Sequence, residues 1–255
     1  MRLTVKGVLV LMALWGLTAC MSGTSANPVD DGGNGDGDGG GASGGGGGGG
    51  VGVTPPPFTS ELFIATDLER QNYDTIFLPA VSNMATASVA GGVRAPFDDL
   101  PGTGSMTYDG FMELVIGSSV ASANVAGPST MTLTLSDMAI TGSATGFMGT
   151  AIDENLEERL VNYAGTIMIS NGQVHDNGAG DAGVSLDIDG SLDSGLHVFG
   201  VDGTLVGYLY GTDAEGMRAR GSNTGIDGSM ATTVDGLPGL IGVGTVSATA
   251  QPTSP

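Results

Sequence analysis

The stretch Met131-Thr132-Leu133-Thr134-Leu135 alternates apolar and polar side chains. Because successive side chains of a β-strand point to opposite faces of a sheet, this alternation predicts a strand with one buried and one solvated side. A longer segment shows the same period and places five large apolar side chains on one face: Met106, Tyr108, Met112, Leu114 and Ile116. The two segments together indicate a sheet that covers a hydrophobic core on one side.

Similar strand patterns recur along the chain between short turn signals. They cover residues 163–169, 183–188, 204–210 and 242–248. Asn-Gly and Asp-Gly pairs favour the tight turns of β-hairpins. They predict turns at Asn171-Gly172, Asp189-Gly190, Asp202-Gly203 and Asp227-Gly228, with the strongest hairpin signal at residues 201–204. One short helical turn, over residues 153–160, is predicted at an end of the sheet.

Residues 58–250 are predicted to form one all-β domain, followed by a disordered tail at residues 251–255. About eight strands joined by hairpins avoid exposed edges when they close into an antiparallel up-and-down β-barrel. A β-sandwich is the main alternative. A membrane-spanning barrel is the third, but it needs aromatic girdles, and aromatic residues make up only 5% of the chain. The outward positions read Thr, Ser and Asp, which favours a soluble barrel.

The N-terminus carries the pattern of a bacterial lipoprotein signal peptide over residues 1–19. Arg2 and Lys6 precede a short apolar run, and Leu17-Thr18-Ala19-Cys20 resembles a lipobox. Cys20 is the only cysteine, and we predict that its thiol carries lipid, such as palmitate-containing acyl chains; an ordinary secretory signal is the alternative. Met21 stands where an aspartate would retain a Gram-negative lipoprotein in the inner membrane. This predicts the outer membrane, with the domain facing outside or the periplasm.

Residues 20–57 are predicted to be a flexible tether rich in Gly, Asp and Pro. Its glycine runs cannot bury apolar surface, and the segment 21–53 has an average reach of roughly 30 Å as a flexible coil. The segment Asn34–Gly39 resembles the start of an EF-hand loop, but Gly45 stands where that loop requires a glutamate. An acidic linker is therefore the preferred interpretation.

The predicted mature chain is strongly acidic. Of the seven basic residues, Arg2 and Lys6 leave with the signal peptide, so five arginines and all 27 acidic residues remain, a net charge of −22. Phosphate binding depends on Lys and Arg, so direct binding of nucleic acid is not expected. With one cysteine, the domain has no intramolecular disulfide.

Neither an enzyme nor a cofactor or metal site is predicted. His175 and His197 are the only histidines, no Gly-x-Ser-x-Gly elbow accompanies them, and two histidines without a second cysteine make a poor zinc site. His175 is expected in a loop and His197 at the rim of the sheet. An acidic cluster on the predicted helical turn is interpreted as a solvated face and not as paired catalytic carboxylates: Glu154, Glu157 and Glu158.

Two segments resemble the β-barrel domain of transferrin-binding-protein-B-like surface lipoproteins. Residues 200–217 are similar to the closing hairpin of that barrel, and residues 104–110 to its first strand. The resemblance implies a single anchored barrel without the family's handle domain, and a role in binding. Near the matched hairpin, four residues are candidate contacts, since exposed Tyr and Arg are strong binding anchors: Tyr208, Tyr210, Arg218 and Arg220. Alternatively, these tyrosines pack in the core and the arginines balance local acid.

The predicted function is that of an outer-membrane lipoprotein whose monomeric barrel binds an unidentified protein or small solute. One alternative is a structural envelope lipoprotein without a dedicated ligand. Another is a lipocalin-like carrier whose small apolar cavity is lined by Met131, Leu133 and Leu135. The membrane is the only other partner expected, through the N-terminal lipid.

Overall fold

The structure is a computed structural model that describes residues 62–152, 158–225 and 227–251. The predicted signal peptide, the lipidation site Cys20 and the predicted tether lie outside the described residues. So do residues 153–157 of the predicted helical turn and all of the predicted tail except Gln251.

The described chain is mostly β-structure and forms a closed barrel of nine strands, which confirms the predicted all-β barrel with one strand more than expected. Strands β1 to β6 follow one another around the barrel as antiparallel neighbours, and β10 pairs with both β1 and β7 to close it. The two-residue strand β9 pairs with β8. The strands are β1 Ser105–Gly117, β2 Ser122–Thr134, β3 Ala139–Ile152, β4 Glu158–Asp176, β5 Ala182–Asp193, β6 Val198–Tyr210, β7 Gly216–Ser222, β8 Gly228–Val234, β9 Leu237–Pro238 and β10 Ile241–Ala250.

Strand β6 changes its partner halfway along its length. Its C-terminal half, from Val206 to Tyr210, pairs with β7, and its N-terminal half, from Phe199 to Leu205, pairs with β8. Both partners run antiparallel to β6, so β7 and β8 follow each other in the same direction. This arrangement departs from a simple up-and-down order.

Side chains from every long strand fill the barrel interior. The predicted inward faces of β1 and β2 are confirmed, because Tyr108, Met112 and Leu133 are fully buried. Other large, fully buried side chains are Leu114, Ile116, Met131, Ile140, Phe147, Ile167, Ile169, Leu186 and Phe199. The Tyr108 hydroxyl closes one end of the core by donating a 2.8 Å hydrogen bond to the Ala214 carbonyl oxygen.

Three of the four predicted turns are wrong. Asn171-Gly172, Asp189-Gly190 and Asp202-Gly203 lie inside β4, β5 and β6, so the predicted hairpin at residues 201–204 is also wrong. Asn171 has a φ of 46° and lies at a register shift of β4, which identifies a bulge. The glycine of the second pair is needed for close backbone approach, because a Cβ at Gly190 would overlap the Thr166 carbonyl oxygen.

The remaining turn signals mark real turns. Asp227 has a φ of 61° and precedes β8, in agreement with the predicted turn there. A turn at Asp235-Gly236, where φ is 53° and 77°, was not predicted from the sequence. Positive φ at both central residues is what a type I′ hairpin turn requires, and this turn joins β8 to β9.

A helical region was also not predicted from the sequence. It consists of α1 Asp67–Asn72, a π-helical turn Tyr73–Phe77 and α2 Leu78–Ala87, which follow one another without a break. It begins at a capping box formed by Thr66 and Glu69. In contrast, the predicted helical turn at 153–160 is wrong where it is described, because Glu158 begins β4.

The helical region lies on the outside of the barrel. Glu69 Oε1 accepts a 3.2 Å hydrogen bond from Asn162 Nδ2 of β4, and the Phe77 ring meets the Phe111 ring of β1 edge to face at 5.3 Å. Val81 is its buried apolar residue, so the region lacks the apolar stripe that makes a helix visible in a sequence. None of the described helices has the length and apolar character needed to cross a membrane.

Candidate functional site

Tyr208 and Tyr210 project from the outer face of the barrel. They flank Leu209, which is fully buried in the core, and both tyrosines are half-buried. Because side chains alternate along a strand, the two rings lie together on the outside, with centroids 6.5 Å apart. The alternative in which these tyrosines pack in the barrel core is therefore wrong.

Arg218 and Arg220 lie on the same outer face in β7. In the antiparallel register, Arg218 is directly opposite Tyr208, and Arg220 is opposite Val206. The residue between the two arginines, Ala219, is buried in the core. The structure thus brings all four candidate contacts together, with Arg220 exposed and Arg218 half-buried.

A third arginine joins this group from outside the barrel strands. The backbone of Arg94 bridges to Tyr210 at the end of β6, which carries the Arg94 side chain onto the outer face. Its guanidinium carbon lies 3.7 Å from the centroid of the Tyr208 ring, and its Nη1 lies 3.0 Å from Asp181 Oδ2. The hydrogen bond to Asp181 raises the pKa of Arg94 further above its ordinary value.

We call these five side chains the Arg–Tyr patch: Arg94, Tyr208, Tyr210, Arg218 and Arg220. Sequence reasoning missed Arg94 because it is distant in sequence from the hairpin and lies in no periodic segment. The patch gathers three of the five arginines in the described residues, which contain no lysine. One side of the patch touches Asp181, which balances Arg94.

Glu113 lies two strands away from Arg220 on the outer face. Thr245 of β10, the strand between them, pairs with both residues. Burial beside Tyr73 of the helical region raises the pKa of the Glu113 carboxyl, and the positive charge of Arg218 opposes that rise. Glu113 therefore interacts with the patch through space, while Arg218 and Arg220 form no salt bridge within the described residues.

A second feature of the outer face is a groove of about 830 Å³ beside the N-terminal half of β6. We call it the acidic groove. Asp189 of β5 lies directly opposite Asp202 of β6 there. Asp187 accepts hydrogen bonds from Thr204 Oγ1 at 2.9 Å and from Asn171 Nδ2 at 3.3 Å. Across the described residues, no three His, Cys, Asp or Glu side chains are grouped so that they could hold a metal ion.

The two histidines lie at opposite ends of the barrel. His197 is at the rim, as predicted, and its Nδ1 lies 2.8 Å from Asp235 Oδ2, which joins the turn before β6 to the turn after β8. Ser194 Oγ bonds the backbone of His197 and not its ring. His175 is an exposed residue near the end of β4, so its predicted loop position is wrong.

No family model matches this chain, and no curated protein matches it in sequence. The resemblance to transferrin-binding-protein-B-like lipoproteins therefore remains an expectation from the residues quoted above. The Arg–Tyr patch and the acidic groove are defined by the geometry of the structure and do not depend on that resemblance.

Proposed function

We propose that this protein is a lipid-anchored binding protein of the bacterial outer membrane, whose barrel recognises a protein or small-solute partner through the Arg–Tyr patch. The observation that carries the proposal is the convergence of three arginines and two tyrosines on one outer face of an otherwise strongly acidic chain. Tyr and Arg are the residues most often responsible for binding energy at protein interfaces.

The patch is partly organised before any partner binds. Arg94 is held by the Tyr208 ring on one side and by Asp181 on another. Binding to an ordered side chain costs less conformational entropy than binding to a mobile one. In addition, β6 and β7 are hydrogen-bonded to neighbours on both edges, so a partner must be recognised by their side chains.

The packed interior favours recognition at the outer face over a carrier function. Met131 and Leu133, which were expected to line a lipocalin-like cavity, have no exposed surface and belong to the core cluster. The acidic groove lies outside the barrel. A structural envelope lipoprotein without a ligand is the remaining alternative.

The anchor rests on the sequence around Cys20. Metabolic labelling with palmitate tests it, with Cys20→Ala as the control that should lose the label. Treatment of intact cells with proteinase K tests the location of the barrel through a C-terminal tag. We expect the label on the parent protein and loss of the tag from intact cells. Protection of the tag until the outer membrane is broken would overturn capture of an external partner.

A further inference from the structure

We propose that the Arg–Tyr patch binds an extended peptide segment that presents carboxylates at every second residue. This inference rests on the proposed function, because it names the partner of the same site. It is carried by the spacing of the side chains, by the carboxylate that already contacts the patch, and by the charge of its surroundings.

The spacing of the patch matches that of an extended chain. Arg218 and Arg220 are two residues apart in β7, so their side chains leave the same face about 7 Å apart. Tyr208 and Tyr210 have the same spacing in the neighbouring strand. Carboxylates at alternate positions of an extended peptide share this repeat and face one side, whereas adjacent carboxylates point to opposite sides. Only the alternating arrangement engages both arginines at once.

Asp181 shows how a carboxylate binds here. Its Oδ2 accepts from Arg94 Nη1 at 3.0 Å while the guanidinium group lies over the Tyr208 ring. Arg218 is the neighbour of that ring in the β6–β7 register. A carboxylate from a partner would contact Arg218 as Asp181 contacts Arg94. Charge-assisted hydrogen bonds of this type are about twice as strong as neutral ones.

The charge around the patch favours a peptide over nucleic acid. Two arginines of the patch, Arg218 and Arg220, form no salt bridge within the described residues. A nucleic acid carries a phosphate at every nucleotide, so most of its charge would lie against the acidic surface of the chain. A peptide with polar residues between its carboxylates places charge only where the arginines are.

The test uses the full chain, purified in detergent, and two fluorescein-labelled peptides of equal composition. One has the sequence Glu-Ser-Glu-Ser-Glu-Ser, and the other has Glu-Glu-Ser-Ser-Glu-Ser, in which no two carboxylates are two residues apart. We expect fluorescence anisotropy at low salt to show that the alternating peptide binds about fivefold more tightly, since low salt leaves surface charges poorly screened. Equal affinities for the two peptides would overturn the proposal that carboxylates are recognised at every second residue.

Matched variants separate the patch from general attraction. Arg218→Ala and Arg220→Ala should each weaken binding of the alternating peptide about three- to tenfold. Arg70→Ala removes the same charge from an exposed position of α1 and should change the affinity less than about twofold. Asp181→Asn removes the internal carboxylate and should strengthen binding about twofold. Circular dichroism checks that each variant is folded.

The outcomes distinguish the two proposals. If Arg218→Ala weakens both peptides equally, the spacing fails, but the patch remains a binding site and the proposed function stands. If Arg70→Ala weakens binding as much as Arg218→Ala does, the patch fails, and the proposed function with it. Tighter binding of a labelled single-stranded oligonucleotide than of either peptide would overturn the choice of a peptide partner.

Discussion

The outer face of the barrel carries opposite charges beside the two halves of β6. In the N-terminal half, Asp202 borders the acidic groove, whereas in the C-terminal half, Tyr208 and Tyr210 belong to the Arg–Tyr patch. The strand is continuous and its alternation does not change. What changes is the partner, which is β8 beside the first half and β7 beside the second.

The partner strand therefore decides the chemistry of each half. Strand β7 adds Arg218 and Arg220 to the outer face, whereas β8 adds Ser229 and Ala231 to the edge of the groove. Strands β7 and β8 run in the same direction and pair with successive halves of β6. Each therefore gives its half of β6 a different neighbouring surface. A change of partner within one strand can thus place a cationic surface next to an anionic one.

Glycines in the two halves of β6 test whether β7 and β8 resist displacement to different degrees. In Gly207→Ala, the new methyl group would overlap the Arg218 carbonyl oxygen and lie 2.6 Å from Ala219 Cα, so β7 must move. Since β7 also pairs with β10 at the closure of the barrel, we expect a loss of about 3 kcal/mol in the free energy of unfolding. Denaturation in guanidinium chloride measures it.

Gly203→Ala is the matched variant in the other half. Its methyl group would lie 2.8 Å from Met230 Cα in β8, whose other neighbour is the two-residue β9. Strand β8 moves at less cost, so we expect a loss of about 2 kcal/mol. A larger loss for Gly203→Ala than for Gly207→Ala would show that β7, at the closure of the barrel, is not more rigid than β8.

Removal of Arg94 tests how the patch is held. Arg94→Ala loses the contact with the Tyr208 ring and the ion pair with Asp181. We expect a loss of about 1 kcal/mol in the free energy of unfolding, because each interaction contributes about 0.5 kcal/mol at a partly exposed position. Asp181→Asn removes the ion pair but keeps the ring contact, and its amide oxygen can still accept from Asn177 Nδ2. It should cost about half as much, and an equal cost for both variants would show that the ring contact does not stabilise the fold.

Two aspartates of the acidic groove should respond in opposite directions. Asp189→Asn relieves repulsion from Asp202 directly across the strands, so we expect a gain of about 0.5 kcal/mol at low salt that disappears in about 1 M NaCl. Asp187→Asn weakens hydrogen bonds from Thr204 and Asn171 and should destabilise the fold by a similar amount. Urea denaturation at two salt concentrations checks both, and a salt-independent gain would contradict the repulsion.

Glu113 should add a weak pH dependence to the stability of the fold. Burial raises the pKa of Glu113 in the folded state above 4.5, so the folded protein binds this proton more tightly than the unfolded chain does. The stability from Glu113 is therefore fully present below the unfolded pKa and is lost as pH rises through the folded pKa.

Glu113→Gln should remove that loss. We expect the variant to become more stable relative to the parent as pH rises from about 4 toward 7, in thermal unfolding at matched pH values. Arg218→Ala should move the loss to higher pH, because Arg218 opposes the rise of the Glu113 pKa. A difference between parent and Glu113→Gln that does not change with pH would contradict the raised pKa.

The barrel was predictable because its signal is local. Alternation placed Leu114 and Leu133 on inward faces, and both are fully buried. The helical region at Asp67–Asn72 and Leu78–Ala87 was not predictable in this way, because it lies on the barrel surface with Val81 as its buried apolar residue. Its capping box at Thr66 and Glu69 was the available signal.

The candidate site was predictable only in part. Tyr208, Tyr210, Arg218 and Arg220 are close in sequence and fall on one hairpin, so reasoning from the residues grouped them correctly. Arg94 lies more than a hundred residues earlier, and only its bridge to Tyr210 places it over Tyr208. The Asp-Gly signal at Asp202 failed because that glycine serves close strand packing and not a turn.

The strands and their inward faces follow from the period-two alternation, which depends on neighbours along the chain, and the acidic charge follows from composition alone. Three features appear only in the folded chain: β6 has two partner strands, Asp189 faces Asp202, and Arg94 reaches Tyr208. These depend on the register of strands distant in sequence, and the closure of the barrel sets that register.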